Sequence, residues 1–394
     1  MKINLLFLLV VLLYSSMSFA QSPKELAEIW EKEHISRLFP SDVRHKDLLT
    51  YLEDLRKLGL KVDEVGRSNA DRSIHQVEFG RGPLKIFMWS QMHGDEPTAT
   101  SALIDMLAYF QKNRRTDWIK KIEETVTIRA VPMLNPDGAE AYQRRNLQGI
   151  DINRDARDLR TPEARLLKKL RDDWSPAIGF NLHNQQALTT VGQTPKQAAI
   201  SLLVVFGDEA KTLNEGQARN QRIAAAMAEA LQQLIPGHIG RYDDEWTPTA
   251  FGDNFSAWGT PVILVETGAL HGRDEMFLVK LNFVAFVTAL QSIVTGREKT
   301  QDPAAYVSLP SNGSGGIVNY LFRRANIVNN GETTVGDIGV IAARRRASFS
   351  VSAKISAIGT LKGITGLDEY DASGFYVYQR FGKARPGELG EFYF

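Results

Sequence analysis

In the stretch Met92-His93-Gly94-Asp95-Glu96-Pro97, a histidine and a glutamate lie three positions apart, between an apolar run and a helical pattern. The preceding run, residues 85–89, is dominated by large apolar side chains and predicts a buried strand. Residues 98–107 predict a helix with Pro97 in its first turn. Gly94 gives the intervening turn backbone freedom. The stretch therefore predicts a strand, a tight turn and a helix, which is the repeating unit of an α/β fold.

The spacing of His93 and Glu96 suits a metal site. An imidazole nitrogen and a carboxylate oxygen at this separation can bind one ion, and zinc accepts both ligand types. The alternative is a surface turn in which Glu96 is favoured by the helix dipole. A chain with 7 histidines can contain one such pair by accident. The pair alone does not decide between these interpretations.

Composition narrows the class of protein. The chain has 394 residues, of which 43% are hydrophobic and 24% charged, as in ordinary globular proteins. A formal net charge of +1 argues against an electrostatic nucleic-acid binder. Cysteine is absent. Disulfides, thiolate nucleophiles and cysteine-bound metals are thereby excluded, and any metal must be bound by His, Asp or Glu.

Residues 1–20 have the pattern of a secretory signal peptide. A positive Lys2 precedes the apolar run from Leu5 to Leu13, and Ser18-Phe19-Ala20 supplies small residues for cleavage. The run is too short to span a bilayer comfortably, and no cysteine follows it for a lipid anchor. We expect a mature chain that begins near Gln21, in the periplasm or outside the cell. No later stretch is expected to be long and apolar enough to anchor it in a membrane.

The remaining chain divides by its hydrophobic pattern. A helical lead-in covers 23–60, and strands then alternate with helices up to residue 296. This alternation predicts an α/β domain over 21–296, with a mostly parallel or mixed twisted sheet and helices on both faces. Residues 297–315 are polar and rich in Pro, Gly and Ser, and are interpreted as a linker. Short alternating runs in 316–394 predict a small β-domain.

Three polar residues follow the ends of apolar strands: His93, His183 and Glu266. Ligands of open α/β sheets bind beyond the carboxyl ends of the strands, so these side chains are expected at one edge. A turn-rich stretch, 135–154, adds several Arg and Asn residues. The fork of an arginine suits carboxylates and developing oxyanions. The alternative for these arginines is a solvated basic loop.

In these features the chain resembles the zinc carboxypeptidase family, the carboxypeptidase A/E-like metallopeptidases, over roughly residues 60–295. The matching motifs are His93-x-x-Glu96, Asn135-Pro136-Asp137-Gly138, Arg-x-Asn at 144–146 followed by Gly149-Ile150-Asp151-Ile152-Asn153-Arg154, the strand-terminal His183, and Glu266 in Val265-Glu266-Thr267-Gly268. The resemblance implies the family's α/β fold and the hydrolysis of peptide bonds.

The resemblance also implies roles for individual residues. His93, Glu96 and His183 would be the ligands of one zinc ion per chain. Glu266 would be the general base that activates water, and Arg144 would stabilise the oxyanion.

Further roles follow from the same motifs. Asn153 and Arg154 would bind the terminal carboxylate of the substrate, and Asp151 would orient a metal-bound imidazole from the outer shell. Arg145 is an alternative to its neighbour Arg144, which is preferred only for its place in the motif. Tyr242 is the nearest candidate for the family's mobile tyrosine, although its surroundings match poorly.

The chain departs from the family pattern at two positions. Asp155 stands where Asn is frequent, and its charge would weaken the binding of a plain carboxylate or favour a substrate that carries an amine. Asn181 stands where Asp is common, two residues before the third ligand. His271 is expected to be a loop residue rather than part of the pocket wall.

Three functions are compatible with these residues. The first is the removal of C-terminal residues from peptides. The second is another amide hydrolysis on the same fold, by an amidase, a deacylase or a cell-wall peptide hydrolase. The third is an inactive peptide-binding protein, which the complete set of ligands with Glu266 argues against. The expected substrate is a peptide or a cell-wall peptide and not a nucleic acid, and the β-domain either binds it or braces the catalytic domain.

Overall fold

The computed structural model describes residues 20–329, 331–344 and 351–378. Almost all of the predicted signal peptide lies outside these ranges. The strands of the first 296 residues are β1 (Lys61–Arg67), β2 (Ser73–Gly80), β3 (Leu84–Ser90), β4 (Val126–Val131), β5 (Ile178–Asn184), β6 (Thr190–Val191), β7 (Ile200–Val205), β8 (Ile239–Arg241) and β9 (Val262–Thr267).

All of these strands except β6 form one mixed sheet in the order β1-β2-β4-β3-β5-β9-β7-β8. The central strands β4, β3, β5 and β9 are parallel to one another. At one side β2 and β1 are added antiparallel, and at the other β7 runs antiparallel to β9. The predicted mixed sheet is confirmed.

Ten helices accompany the strands in the described ranges. They are α1 (Pro23–Glu33), α2 (His45–Lys57), α3 (Thr98–Lys112), α4 (Asp117–Thr125), α5 (Pro136–Ala141), α6 (Pro162–Trp174), α7 (Glu215–Gln232), α8 (Phe251–Ala257), α9 (Glu275–Val294) and α10 (Ala304–Val307). Short 3₁₀ turns occupy Pro40–Asp42, Ile152–Arg154 and Arg297–Lys299. The sequence marks several helix starts. The Thr161 side chain, for example, caps α6 by accepting from the Ala164 N–H.

Helices cover both faces of the sheet because strand side chains alternate in direction. In β3, Ile86 and Met88 belong to a large core shared with α1–α4, α7 and α9. Phe87 and Trp89 belong to a second core, shared with α6 and α8. The sheet therefore has a hydrophobic core on each side, as the α/β interpretation requires.

The helix α9 corrects one expectation. It has 20 residues and a mean hydropathy of 1.8 in its most apolar window, so its length and composition would allow it to cross a membrane. That window is 89% buried inside the protein, where the helix packs against α7 and α3. The expectation that no later stretch is this long and apolar was wrong. The helix is this apolar because it lies at the centre of a large core, where a helix can be hydrophobic on all sides.

Residues 297–315, interpreted as a linker, pack against the α/β domain. Tyr306 is buried, and its hydroxyl accepts a 2.8 Å hydrogen bond from the Val204 N–H in β7. A short strand, β10 (Asn312–Gly313), pairs antiparallel with β6. This segment is therefore attached to the domain rather than being a free connection. The position of the domain boundary stays a prediction.

The described part of 316–378 forms a second sheet, as predicted for a β-domain. Its strands are β11 (Ile317–Asn329), β12 (Glu332–Arg344), β13 (Val351–Gly359), β14 (Thr365–Asp371) and β15 (Tyr376–Tyr378), and β15 pairs with β11 beside the order β13-β12-β11-β14. A small core that includes Ile327, Ile338 and Val340 lies on it. Residues 379–394 of the predicted β-domain lie outside the described ranges.

Candidate active site

The three polar residues predicted at strand ends meet at one edge of the sheet. His183 lies in β5 directly opposite Glu266 in the neighbouring β9. His93 follows the end of β3, on the other side of β5. One ligand atom each from His93, Glu96 and His183 lies within 4.8 Å of the others, and all three residues are buried. The convergence expected from the sequence is present.

The turn that carries His93 and Glu96 is fixed by close packing. A Cβ atom on Gly94 would lie 1.9 Å from the carbonyl carbon of Gly138, so glycine is needed because α5 approaches the turn. The left-handed conformation occurs instead at Gln91, with φ of 51°. The Glu96 N–H donates to the His93 carbonyl over 3.1 Å and closes the turn. Helix α3 then begins at Thr98, with Pro97 as its cap residue.

The three candidate ligands form a tight cluster. The Nδ1 atom of His93 lies 2.9 Å from Glu96 Oε1, and that of His183 lies 2.7 Å from Glu96 Oε2. The two Nδ1 atoms are 3.2 Å apart. Burial raises the pKa of the Glu96 carboxyl, but the two imidazoles outweigh this effect and hold it below its ordinary value. Glu96 is therefore an ionised carboxylate between two imidazole rings.

A contact from outside the cluster orients the His93 ring. His93 Nε2 lies 3.0 Å from Asp151 Oδ1. If this nitrogen donates to the carboxylate, the lone pair of Nδ1 points into the cluster. Burial lowers the pKa of His183, which favours the neutral ring that binds metals. Two imidazole nitrogens and a carboxylate that face one point are a ligand set that zinc accepts, and the residues present fit a zinc ion.

Glu266 lies beside this cluster without belonging to it. It is 7% exposed. Burial raises the pKa of its carboxyl well above the ordinary value, the charge of Glu96 raises it further, and Arg144 opposes both. Such a carboxyl binds a proton more readily than an exposed glutamate does.

Arg144 faces the cluster, whereas Arg145 does not. The Arg144 Nε donates to Asp151 Oδ2 over 2.9 Å, and its Nη1 lies 3.2 Å from Glu96 Oε1. Arg145 is exposed, and its Nη1 donates to the Gly149 carbonyl outside the cleft. Of the two neighbours left open by the sequence, the structure brings only Arg144 to the site.

The predicted carboxylate clamp lies along the same cleft. Asn153 and Arg154 both line it, and Arg154 Nη1 donates to the Asn153 carbonyl over 2.9 Å. The Asn153 Oδ1 accepts from the Phe251 N–H over 2.9 Å, which ties the clamp to the start of α8. The guanidinium of Arg154 lies close enough to Asp253 of α8 for its charge to lower the pKa of that carboxyl, and both residues line the cleft.

Asp155 corrects a prediction. It is fully buried outside the cleft, where its two oxygens accept from the Arg160 N–H and the Thr161 N–H at 3.0 and 2.7 Å. The carboxylate holds the start of α6 through these two hydrogen bonds and does not face the cleft, so it cannot attract an amine there. Asn181, the other departure, does line the cleft and is 2% exposed.

Tyr242 and His271 take different positions. Tyr242 lines the cleft just after β8, and burial raises the pKa of its hydroxyl to about 12, with the charges of Glu266 and Glu96 adding to the shift. His271 is half exposed, and its Nε2 lies 3.4 Å from Asp368 of β14. It is a loop residue, as expected, and contacts the second sheet.

Acidic residues in the cleft wall were missed by the sequence interpretation. Asp253 is one of them, and burial raises the pKa of its carboxyl to about 6 although its Oδ1 accepts from the Thr247 N–H over 2.9 Å. The remaining members are Asp208, Asp243, Asp244 and Glu245. The acidic run 243–245 beside Tyr242 was a signal in the sequence, whereas Asp253 is the single acidic residue of 251–257 and gave no such signal.

In sequence, this chain resembles the zinc carboxypeptidase family and several proteins that are named carboxypeptidases. The zinc carboxypeptidase family model matches residues 47–234, a range that includes the three candidate ligands but ends before Glu266. Carboxypeptidase 2 of Trichophyton rubrum is 30% identical over 197 residues, which are 50% of this chain and 35% of that protein. Carboxypeptidase SOL1 of Arabidopsis thaliana is 33% identical over 147 residues, 32% of this chain and 30% of that protein. The chain spans about a third of the length of the curated relatives it matches.

Solved structures share the fold at low sequence identity. A metallo-carboxypeptidase from Burkholderia cenocepacia has a TM-score of 0.51 at 15% identity, covering 64% of this chain and 69% of that one. Bovine thrombin-activatable fibrinolysis inhibitor, in complex with tick carboxypeptidase inhibitor, has a TM-score of 0.50 at 11% identity, covering 64% of this chain and 98% of that one.

Proposed function

Because residues 47–234 match the zinc carboxypeptidase family model, we propose that this protein is a zinc-dependent peptidase that removes C-terminal residues from peptides. The observation that carries the proposal is the buried cluster of His93, Glu96 and His183 with Glu266 beside it and Arg154 in the same cleft. An inactive binding protein would have no need to retain all of these groups in one place.

The cluster would hold one zinc ion through His93, Glu96 and His183. When bound, zinc polarises a carbonyl group and makes water more acidic. Glu266 takes a proton from the attacking water and returns one to the leaving amine. Its burial and raised pKa suit this task, because the carboxyl must both accept and release a proton near neutral pH.

Two arginines would bind the two residues that flank the scissile bond. Arg144, turned into the cleft by Asp151, stabilises the negative charge that develops on the carbonyl oxygen. Arg154 presents a planar fork to the terminal carboxylate. Tyr242, whose hydroxyl stays protonated because its pKa is raised to about 12, serves as a hydrogen-bond donor to the substrate.

We further propose that the enzyme acts outside the cytoplasm. The signal-peptide pattern of residues 1–20 supports export, with a mature chain that starts near Gln21. Gln21 is already part of the packed fold, since its Oε1 accepts a 2.9 Å hydrogen bond from the Tyr109 hydroxyl.

A second candidate is a cell-wall peptide hydrolase or amidase. The acidic wall of the cleft favours it, because Asp208, Asp243, Glu245 and Asp253 would attract a substrate that carries an amine, whereas Asp244 is paired with Lys211. The diamino acids of cell-wall peptides have such a group. Here the attraction that the sequence assigned to Asp155 comes from other residues.

Two matched pairs of peptides separate the two candidates. In each pair one peptide ends in a free carboxylate and the other in the corresponding amide, and the last residue is neutral in one pair and amine-bearing in the other. If the protein is a carboxypeptidase, its zinc-loaded form should cleave the free acids and leave the amides almost intact. Equal rates on acid and amide would exclude recognition of the carboxylate and favour an amidase or an endopeptidase. If only the peptides with an amine-bearing last residue are cleaved, the acidic wall determines which last residue the enzyme accepts.

A further inference from the structure

We propose that Asn312, which lies beyond the predicted catalytic domain, is a positioning residue for the active site. Through Gln185 and Ser201 it fixes the strand ends that carry His183 and Glu266. This inference rests on the proposed function, because it concerns how accurately the same site is held.

Residues 310–313, here called the strap, are fixed to the α/β domain by their backbone. The Arg241 N–H donates to the Pro310 carbonyl over 2.8 Å, and the Gly192 N–H donates to the Ser311 carbonyl over 2.9 Å. The pairing of β10 with β6 continues this attachment. The strap therefore has a defined position at the end of the sheet where the site is formed.

Two glycines make room for the strap. A Cβ atom on Gly240 would lie 2.4 Å from the Asn312 Oδ1. A Cβ atom on Gly313 would lie 2.1 Å from the Gly192 carbonyl oxygen. A side chain at position 313 would force the strap backbone away, and one at position 240 would displace the Asn312 side chain, so the close approach of Asn312 is built into the sequence.

The Asn312 side chain completes a closed ring of three hydrogen bonds. Its Nδ2 donates to Gln185 Oε1 over 2.7 Å, and its Oδ1 accepts from the Ser201 hydroxyl over 2.7 Å. The Gln185 Nε2 donates to Ser201 Oγ over 2.9 Å. Because each member holds the other two, the directions of all three side chains are fixed.

The ring lies next to the candidate catalytic groups. Ser201 in β7 is directly opposite Glu266 in β9, so their side chains point to the same face of the sheet. Gln185 follows His183 by two positions, and its N–H donates to the Thr267 carbonyl over 2.9 Å. The ring thus fixes β5, β7 and β9 relative to one another at the point where His183 and Glu266 leave them.

The test compares Asn312→Ala with Ser311→Ala in the full-length protein. Ser311→Ala keeps the backbone hydrogen bond from the Gly192 N–H and leaves the ring intact, so it is the matched control. We expect Asn312→Ala to lower kcat by about tenfold to a hundredfold, since a misplacement of about 1 Å can have that effect. KM should stay within about threefold, because the ring does not touch the carboxylate clamp. Both proteins are assayed well below their melting temperatures.

A double variant tests whether Asn312 acts through Ser201. If it does, Asn312→Ala combined with Ser201→Ala should be no slower than the slower single variant, because both substitutions break the same ring. Multiplicative losses would mean independent roles and would overturn the proposal.

Zinc retention provides a readout without any peptide. Chelator competition should show that Asn312→Ala retains zinc about tenfold less tightly than wild type and Ser311→Ala, because His183 is held less accurately. A wild type that cleaves no peptide would refute the proposed function, while zinc retention would still decide the role of the ring. Unchanged kcat and zinc affinity in Asn312→Ala, with or without a lower melting temperature, would reduce the ring to a structural contact and overturn the proposal.

Discussion

Replacing Glu266 by glutamine separates a general base from a metal ligand. The two side chains have nearly the same volume, so the packing of this buried position is kept. His93, Glu96 and His183 are unchanged, and zinc content should stay at one ion per chain. General-base catalysis contributes about 10²–10⁴-fold, so kcat should fall by that factor, which corresponds to about 3–5 kcal/mol of transition-state stabilisation.

The same substitution has a predicted effect on stability. The pKa of Glu266 is raised in the folded protein, chiefly by burial, so the folded state binds its proton more tightly than the unfolded state does. Any stability from this group is present at low pH and is lost as pH rises above the unfolded pKa. At neutral pH, metal-free Glu266→Gln should therefore melt at the same temperature as wild type or higher.

Three measurements check the reasoning: elemental analysis, turnover of a good peptide substrate, and thermal unfolding of the metal-free protein. Loss of zinc from Glu266→Gln would mean that this residue is a ligand. Retention of both zinc and turnover would refute its role as the base. A large fall in melting temperature would mean that the carboxylate supports the fold, against the direction of its pKa.

Four further predictions concern the ligand cluster, the clamp, the acidic wall and the strap. His183→Ala should lose most of its zinc by elemental analysis, because an incomplete ligand set binds weakly. Arg154→Lys should raise KM strongly for free-acid peptides with little change in kcat, since lysine cannot form two parallel hydrogen bonds with a carboxylate, and steady-state kinetics on the acid and amide pair will test this. The pKa of Asp253 is raised to about 6, so wild type should lose stability relative to Asp253→Asn as pH rises from 4 to 7. Urea unfolding at the two pH values should show a loss of at most about 2 kcal/mol, because solvent screening reduces the difference. A chain ended at Gln301 lacks Tyr306 and the strap, and should both melt earlier and turn over more slowly than full-length protein.

The strand-terminal residues could be predicted because two physical regularities act there. Buried strands of parallel sheets have continuous apolar sequences, and the carboxyl ends of such strands form a common edge. These rules, with the motif at 92–97, predicted that His93, His183 and Glu266 would meet. Neither rule requires knowledge of how a loop folds.

Loop residues were harder to predict because a loop has no fixed period. Arg144 and Arg145 are adjacent and chemically identical, yet one faces the cluster and the other the solvent. Asp155 follows the clamp directly, and its chemistry suggested a role in the cleft. In the structure its oxygens accept from the backbone at the start of α6. Only the path of the chain decides which of two neighbouring polar residues reaches a site.

Residues 297–315 show why composition is a weak guide to whether a segment is a free connection. The Pro, Gly and Ser residues of this segment are typical of a linker, but such residues also form tight backbone contacts that larger side chains would prevent. Two apolar residues, Tyr306 and Leu309, are buried and anchor the segment to the domain. The backbone bonds of Pro310 and Ser311 then bring Asn312 to the ring beside Glu266. The contacts that position the ring beside Glu266 therefore include residues up to 313, beyond the last helix of the predicted catalytic domain, whose boundary stays a prediction.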